Sequence, residues 1–218
     1  MLSLNKYESI IWDWNGTLLD DILVCVEIVN KLLLNHNDRQ LDKEAYQAVF
    51  GFPISEYYQK IGIDLQKESF DELTVKFIGD YDEKVKHCQL HENVIHTLAQ
   101  FTQQNLNQYI LTAAHQESVL PLLDRFSIRN HFQFVAGLDN YRAESKVQRG
   151  FDLLEREQVN KQQTVLVGDT IHDYEVARSL GVQCVLIANG HQSKERLQKW
   201  TKNKIPVINE INELQGII

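Results

Sequence analysis

The chain contains few cysteines and no long apolar run. Its 218 residues include three cysteines, Cys25, Cys88 and Cys184, which are far apart and show no CxxC spacing. We therefore expect no disulfide framework and predict a reducing compartment, the cytoplasm, as the location of the protein. No aliphatic run approaches the roughly 18 residues that a membrane span requires, so neither a span nor a signal peptide is expected.

Positive charge is also scarce. The chain has 22 Lys and Arg against 30 Asp and Glu, a net charge of −8, which argues against a surface for nucleic acid. It contains no Walker-type glycine loop, so nothing indicates a nucleotide-binding site. Acidity does not exclude a phosphorylated substrate, because a metal ion and local donors can supply positive charge. We expect a small-molecule partner rather than nucleic acid or a membrane, and either a monomer or a homodimer.

The chain is rich in short apolar runs that alternate with helical patterns. Residues 9–13, 108–112, 132–136, 164–169, 183–188 and 206–208 are predicted strands, the last at an edge. Most of these runs are continuous rather than alternating, which is typical of parallel strands covered on both faces. Predicted helices separate the strands at 91–104, 117–126, 146–156, 173–180 and 193–200. This order predicts an α/β fold with a doubly wound parallel sheet.

The segment 20–87 interrupts this alternation. It holds no clear strand pattern, and its apolar residues recur at helical spacing in the ranges 21–34, 42–50, 54–61 and 67–87. An insertion that follows the first strand lies over the carboxyl edge of such a sheet. We therefore predict an α/β core formed by 1–19 and 88–218, with a helical cap formed by 20–87.

Reactive side chains follow the predicted strands. Asp13 ends the first strand, Thr112 the second and Asp169 the fourth, while Asp173 and Lys146 lie at nearby helix starts. Because the carboxyl ends of parallel strands converge, these side chains are expected at one edge. Clustered carboxylates repel one another unless a cation binds, and Mg²⁺ prefers oxygen ligands. A hydroxyl and an ammonium group can hold phosphate oxygens, and an aspartate can accept a phosphoryl group. The pattern predicts phosphoryl chemistry.

Four segments resemble the motifs of the haloacid dehalogenase (HAD) superfamily in their order and spacing. They are IIWDWNGTLLDD at 10–21, YILTAA at 109–114, ESK at 144–146 and VLVGDTIHDYEVARSLG at 165–181. The resemblance covers nearly the whole chain and is closest to the phosphoglycolate phosphatase-like branch, which also fits Gly190-His191 after the fifth strand. It implies a Rossmann-like core, an inserted helical cap and a Mg²⁺-dependent phosphatase that acts on a small phosphorylated metabolite.

The resemblance implies the ligands of the metal and the nucleophile. Asp13 would be the nucleophile, would form an aspartyl phosphate and would also bind Mg²⁺. The backbone carbonyl of Asn15 would be a second ligand, and a carbonyl is indifferent to the side chain that accompanies it. Asp169 would bind Mg²⁺ directly, and Asp173 directly or through water.

The resemblance also implies the groups that hold the substrate. Thr112 and Lys146 would bind the phosphoryl group that is transferred, and Lys146 would offset the charge of the carboxylates. Ala113 and Gly16 match neighbouring positions of the same motifs and would contribute to substrate binding. Gly16 and Thr17 would also form the turn into the cap, where glycine permits unusual backbone angles.

Asn15 is the one departure from the family pattern. Phosphatases of the family have an aspartic acid at this position, which protonates the leaving alcohol and then activates water. An amide cannot exchange a proton at neutral pH, and loss of general acid–base catalysis costs ~10²–10⁴-fold in rate. We therefore expect slow turnover of alkyl phosphates, a long-lived phospho-Asp13, and faster turnover in an Asn15→Asp variant.

Asn15 leaves three other functions open. A dehalogenase would also lack the second aspartate, but it needs no metal, whereas Asp173 and the preceding Gly-Asp-Thr retain the metal-binding pattern. A phosphonate hydrolase would need a cap lysine as a Schiff base, and neither Lys43 nor Lys60 has a distinguishing context. A phosphometabolite-binding protein without turnover is the non-enzyme alternative. His115, near the same edge, is a candidate to replace the missing base.

Overall fold

The computed structural model of the protein describes residues 6–37, 39–138 and 146–218. The polar loop expected at 139–145, with the first two residues of the ESK motif, lies outside the described residues. Within them, the strands are β1 (Ser9–Trp12), β2 (Leu19–Asp20), β3 (Gln89–Leu90), β4 (Asn107–His115), β5 (Phe134–Leu138), β6 (Thr164–Gly168), β7 (Gln183–Ile187) and β8 (Val207–Ile208). Six of these strands form one parallel sheet in the order β5-β4-β1-β6-β7-β8.

Helices connect the strands and cover both faces of the sheet. They are α1 (Ile22–Leu33), α2 (Lys43–Val49), α3 (Ile54–Ile61), α4 (Phe70–Lys84), α5 (Val94–Gln103), α6 (Gln116–Arg125), α7 (Lys146–Arg156), α8 (Ile171–Leu180) and α9 (Lys194–Thr201). Ile10 and Trp12 of β1 belong to a core cluster with α5 and α6, whereas Ile11 belongs to a second cluster with α7 and α8. This division follows from the alternation of side chains along a strand, and it confirms the predicted doubly wound α/β fold.

The helices α1 to α4 pack around a third hydrophobic cluster. Its fully buried members include Ile22 and Leu33 of α1, Tyr46 of α2, Ile61 of α3 and Leu73 of α4. Local signals set the ends of these helices: Ser69 and Glu72 form a reciprocal capping box at the start of α4. The assignment of 20–87 to a separate cap domain remains a prediction.

Two details differ from the sequence-based expectation. The strand predicted at 132–136 lies at Phe134–Leu138, because a short 3₁₀ turn at Arg129–His131 delays its start and pairing with the long β4 extends its end. The two-stranded antiparallel pair of β2 and β3 was not predicted, since two residues per strand are too few to show a period. This pair lies where the chain enters and leaves the helical segment.

Two further features concern membrane-spanning helices and the cysteines. Among the described residues, no helix combines the length and apolar character needed to cross a membrane. The three cysteines are buried and form no disulfide with one another.

Candidate active site

The register of the sheet brings Asp13 and Asp169 together. Trp12 of β1 is opposite Val167 of β6, and the backbone N–H of Asp13 donates to the carbonyl of Val167 at 2.8 Å. Asp13 therefore leaves β1 beside Gly168 and Asp169 at the carboxyl edge of β6. Strand order places the first and fourth motifs side by side although about 150 residues separate them in the chain.

Asp173 completes a cluster of three buried carboxylates. It lies in the first turn of α8, where its Oδ2 accepts bonds from the backbone N–H and the hydroxyl of Thr170 at 3.0 and 2.6 Å. One oxygen from each of Asp13, Asp169 and Asp173 lies within 4.8 Å of the others. All three residues are at most 7% exposed. The predicted metal-ligating aspartates therefore converge.

Lys146 is the cation at the centre of this cluster. It is the first residue of α7 and is 3% exposed, and its Nζ lies 2.5 Å from Asp13 Oδ1 and 2.6 Å from Asp173 Oδ1. Burial opposes its charge, but the two carboxylates prevail and raise the pKa of Lys146. The ammonium group therefore stays charged and links the nucleophile position to the third carboxylate.

Burial raises the pKa values of two of the three carboxyl groups. Burial raises the pKa of Asp13 to about 8, with Lys146 opposing and the other two aspartates adding to the effect. Burial likewise raises the pKa of Asp169 to about 6, although His191 opposes the shift. One ammonium group therefore does not neutralise three buried carboxylates, and a bound cation would relieve their repulsion.

Glycines leave room for Asp169. Gly16 has φ of +73°, and a Cβ at Gly16 or at Gly190 would collide with the Asp169 carboxylate. The freed space lets Asp169 Oδ1 accept from the Thr17 hydroxyl at 3.0 Å and Oδ2 accept from the backbone N–H of His191 at 2.5 Å. These bonds hold the carboxylate in a single orientation.

Thr112 and Ala113 lie in the irregular part of β4. The pairing of β4 with β5 becomes irregular between Leu111 and His115, so the intervening residues turn away from the regular ladder. The Thr112 Oγ1 accepts from the backbone N–H of Ala114 at 3.0 Å. Thr112 and Ala113 both line the central cavity, as does His115. Their predicted roles in substrate binding remain predictions.

Asn15 belongs to a polar cluster that the sequence did not reveal. Its Nδ2 donates to Asp21 Oδ2 at 2.9 Å and to the Tyr81 hydroxyl at 2.5 Å, and Tyr81 donates in turn to Asp21 at 2.6 Å. Asp21 Oδ1 accepts from the backbone N–H of Gly16 at 3.0 Å and lies 3.2 Å from Nε2 of His191. The backbone N–H of Gly16 is thus engaged by Asp21, and the predicted contribution of Gly16 to substrate binding remains a prediction.

Charge in this cluster is fixed by the pair of Asp21 and His191. Although burial opposes both charges, His191 lowers the pKa of Asp21, and Asp21 raises the pKa of His191 to about 9. Nδ1 of His191 lies 3.1 Å from the Tyr46 hydroxyl of α2. Asp21 is the last residue of the first motif and His191 follows Gly190 after the fifth strand, but Tyr81 carried no sequence signal, because its contact is made only in the folded chain.

A cavity of about 250 Å³ lies between this edge of the sheet and α1 to α4. Its floor holds Asp13, Asn15, Thr112, Lys146 and Asp169. Residues that the motifs place at separate points of the chain therefore face one space. The arrangement offers a carboxylate nucleophile, an ammonium group, a hydroxyl and a set of oxygen ligands, which are the groups that phosphoryl transfer uses.

Solved structures of other proteins share this fold. A solved structure of the haloacid dehalogenase-like hydrolase SP0104 from Streptococcus pneumoniae covers 98% of this chain and 99% of its own, with a TM-score of 0.80 and 20% identity. The structure of protein tyrosine kinase A from Mycobacterium tuberculosis covers 97% of each chain, with a TM-score of 0.78 and 23% identity. At these identities the likeness shows the fold alone.

Sequence comparison identifies the family. Phosphoglycolate phosphatase from Pseudomonas putida is 24% identical over 84% of this chain and 70% of its own length, in keeping with the branch that the motifs indicated. The family model described as haloacid dehalogenase-like hydrolase matches residues 10–187, most of the chain. The chain therefore belongs to the haloacid dehalogenase-like hydrolase family.

Proposed function

We propose that the protein is a Mg²⁺-dependent phosphatase that hydrolyses a small phosphorylated metabolite through an aspartyl phosphate on Asp13. The observation that carries this proposal is the convergence of Asp13, Asp169, Asp173 and Lys146 at one sheet edge. The phosphoglycolate phosphatases among its relatives support the same reaction class.

The donor set fits Mg²⁺. Asp13, Asp169 and Asp173 offer carboxylate oxygens within 4.8 Å of one another, and burial together with the repulsion between them raises the pKa values of Asp13 and Asp169, which a bound cation would counter. These residues would hold the ion together with the carbonyl of Asn15. Bound Mg²⁺ would offset negative charge on the phosphoryl oxygens and orient the group for attack.

Asp13 supplies the nucleophile. Its carboxylate oxygen attacks phosphorus, the bond from phosphorus to the ester oxygen breaks, and the leaving group departs with the electron pair. Lys146, 2.5 Å from Asp13, and the Thr112 hydroxyl stabilise charge on the phosphoryl oxygens. Water then attacks the aspartyl phosphate, which frees Asp13 and releases phosphate with the proton of the water.

Asn15 limits both steps. Its amide has no proton to give to a leaving alcohol and cannot accept one from water, and it is already bonded to Asp21 and Tyr81. Turnover of alkyl phosphates should be slow by ~10²–10⁴-fold relative to an enzyme with a general acid there. Asn15 therefore shapes the chemistry without removing the nucleophile.

The decisive experiment measures release of phosphate from acetyl phosphate and p-nitrophenyl phosphate, whose leaving groups need no proton. Release that requires Mg²⁺ and disappears in Asp13→Asn supports the proposal. Binding of these compounds without release would show a phosphometabolite-binding protein instead. Halide release from a haloacid would show a dehalogenase.

A further inference from the structure

The cavity above the carboxylates has aromatic walls. Eight of the described residues that line it are Phe or Tyr, and they come from α2, α3, α4 and the segments beside them. One face of α4 supplies much of the wall. Phe77 and Tyr81 lie on the same face as Phe70 because they follow it by about two and about three helical turns. Asp21 at the start of α1 and Cys25 one turn later complete the opposite side.

The rings are arranged as preformed aromatic contacts. Phe50 stacks on Tyr46 with ring centroids 5.1 Å apart and meets Tyr57 edge to face at 5.2 Å. On the other wall, Phe77 and Tyr81 stack at 5.8 Å. Aromatic pairs prefer such separations and angles, so a further ring that enters between these walls finds faces and edges to contact.

The walls carry little positive charge. Among the described residues, Lys146 is the one Lys or Arg that lines the cavity, and its ammonium group is bound to Asp13 and Asp173 at the floor. The lining includes two further acids, Asp21 and Asp82. His191 is paired with Asp21. His115 and His172 also line the cavity, so apart from these two imidazoles a second anionic group of a substrate, such as a carboxylate, would meet negative charge rather than an ion-pair partner.

One buried hydroxyl in the wall lacks a partner. Tyr57 is 3% exposed and lines the cavity, and its hydroxyl has no hydrogen-bond partner among the described residues. Burial raises the pKa of Tyr57, so the group stays a neutral phenol that can donate and accept one bond. Buried polar groups are normally satisfied, and a rotation of the Tyr57 side chain that opens its enclosed hydroxyl to the cavity would let a neutral polar group of a ligand satisfy it.

We propose that the cavity binds the aromatic ring of an aryl phosphate, with the phosphate on Asp13 and a neutral polar substituent of the ring on the Tyr57 hydroxyl. This inference rests on the proposed function and names its substrate class. A volume of about 250 Å³ is sufficient, because a cavity of about 150 Å³ holds benzene. The ring would replace water against apolar walls, which favours binding.

The chemistry of Asn15 favours the same class. When Asp13 attacks phosphorus, the bond from phosphorus to the aryl oxygen breaks and a phenolate leaves with the electron pair. Phenols have a pKa of about 10, far below the roughly 16 of water, so a phenolate departs without a proton and takes one from solvent afterwards. Asn15, which cannot donate that proton, therefore slows formation of phospho-Asp13 little with an aryl phosphate and much with an alkyl phosphate, whereas the later hydrolysis of phospho-Asp13 is slowed equally with both.

Binding of unreactive analogues separates ring recognition from the reactivity of the leaving group. Benzylphosphonate replaces phenyl phosphate, phosphonopropionate replaces phosphoglycolate, and ethylphosphonate carries neither ring nor carboxylate. Calorimetric titration of the full chain with Mg²⁺ should show benzylphosphonate binding about tenfold or more tighter than ethylphosphonate. Phosphonopropionate should bind no tighter than ethylphosphonate. Equal affinity for all three, or a preference for phosphonopropionate, would overturn the inference.

Variants that replace an aromatic ring with an aliphatic side chain test the walls. Phe77→Leu and Phe50→Leu should reduce the preference for benzylphosphonate over ethylphosphonate at least threefold while the affinity for ethylphosphonate stays unchanged. Phe151→Leu, at an exposed ring of α7, is the matched control and should retain the full preference. A preference that survives in both wall variants would place the ring elsewhere and refute the assignment.

The Tyr57 hydroxyl has its own test. Among the hydroxyphenyl phosphates with ortho, meta or para hydroxyl groups, at least one should have a lower KM than phenyl phosphate, and Tyr57→Phe should abolish that difference while leaving the KM of phenyl phosphate unchanged. No gain for any isomer would refute the polar contact. Hydrolysis of acetyl phosphate by the unmodified protein is measured in the same series. No hydrolysis would refute the proposed phosphatase activity, whereas hydrolysis without a preference for ring-bearing ligands would refute the aryl site alone.

Discussion

Asn15 and Asp21 form a matched amide–carboxylate pair, with Asn15 Nδ2 donating to Asp21 Oδ2 at 2.9 Å. Position 15 carries an amide, and a buried carboxylate six residues later accepts a hydrogen bond from it. Tyr81, His191 and the backbone N–H of Gly16 also contact Asp21, so exchange of Asn15 alone alters a connected cluster rather than one side chain.

The first prediction concerns this pair. Asn15→Asp alone places two carboxylates in contact, so one of them must hold a proton, and we expect a loss of about 1–3 kcal/mol in the free energy of unfolding. The exchange Asn15→Asp with Asp21→Asn restores a donor and an acceptor. It should recover only part of the stability, because His191 still lacks the carboxylate of Asp21, and it should raise the kcat for an alkyl phosphate by at least about tenfold. Thermal unfolding and steady-state kinetics measure both effects.

Asp21→Asn alone is the matched control for that exchange. It places two amides in contact and leaves His191 without its carboxylate, so it should destabilise the protein without raising kcat. If Asn15→Asp alone gives the full gain in kcat with no loss of stability, the two residues are not coupled. From the sequence, Asn15→Asp by itself is expected to raise turnover. That expectation leaves out the contact with Asp21, which forms only in the folded chain.

The second prediction is a burst. Asp13 should be phosphorylated quickly by p-nitrophenyl phosphate, whereas hydrolysis of phospho-Asp13 lacks a base at Asn15. Rapid mixing should therefore show release of about one nitrophenolate per active site, followed by a slower steady rate. Asp13→Asn should show neither phase. A linear time course with no burst would mean that hydrolysis of the intermediate is not rate-limiting.

The sheet and the carboxylate cluster could be predicted because their signals are local. Continuous apolar runs mark buried parallel strands, and three of the runs end at a residue of the site, namely Asp13, Thr112 and Asp169. The network of Asp21, His191 and Tyr81 could not, since its members come from α1, the turn after β7 and α4 and meet only through tertiary packing.

The aromatic wall of the cavity could not be predicted from the sequence, for a different reason. Phe70, Phe77 and Tyr81 recur along α4 with the spacing of an ordinary buried helix face, and the same spacing serves packing against a core or lining of a cavity. Periodicity shows which face turns inward. It does not show whether side chains of the facing helices fill the space in front of it. Only the positions of α1 to α3 determine that.

The third prediction concerns Lys146. Lys146→Met leaves Asp13 and Asp173 without their shared ammonium group, so both carboxylates should bind protons more readily. We expect kcat to fall about 10²–10³-fold, since a charge that stabilises the phosphoryl oxygens is lost. Lys146→Arg retains the charge with a different shape and should lose less. A Met variant with unchanged kcat would exclude Lys146 from phosphoryl binding.

The last prediction links Mg²⁺ to pH. The folded, metal-free protein has carboxyl pKa values raised from 3.8 to about 8 at Asp13 and about 6 at Asp169. Between about pH 4 and pH 8 it therefore binds more protons than the unfolded chain, and these groups make its free energy of unfolding fall as the pH rises through this window. Mg²⁺ needs the deprotonated carboxylates, so its affinity should rise over the same window and level off above about pH 8.

Thermal unfolding with and without Mg²⁺ at a series of pH values measures this linkage. The increase in Tm caused by Mg²⁺ should be larger at about pH 8 than at about pH 6, because Asp13 loses its proton between them. Asp13→Asn removes that group and should flatten the upper part of the dependence while Asp169 still titrates near pH 6. A stabilisation by Mg²⁺ that is constant or falls with rising pH would show that the ion binds away from these carboxylates.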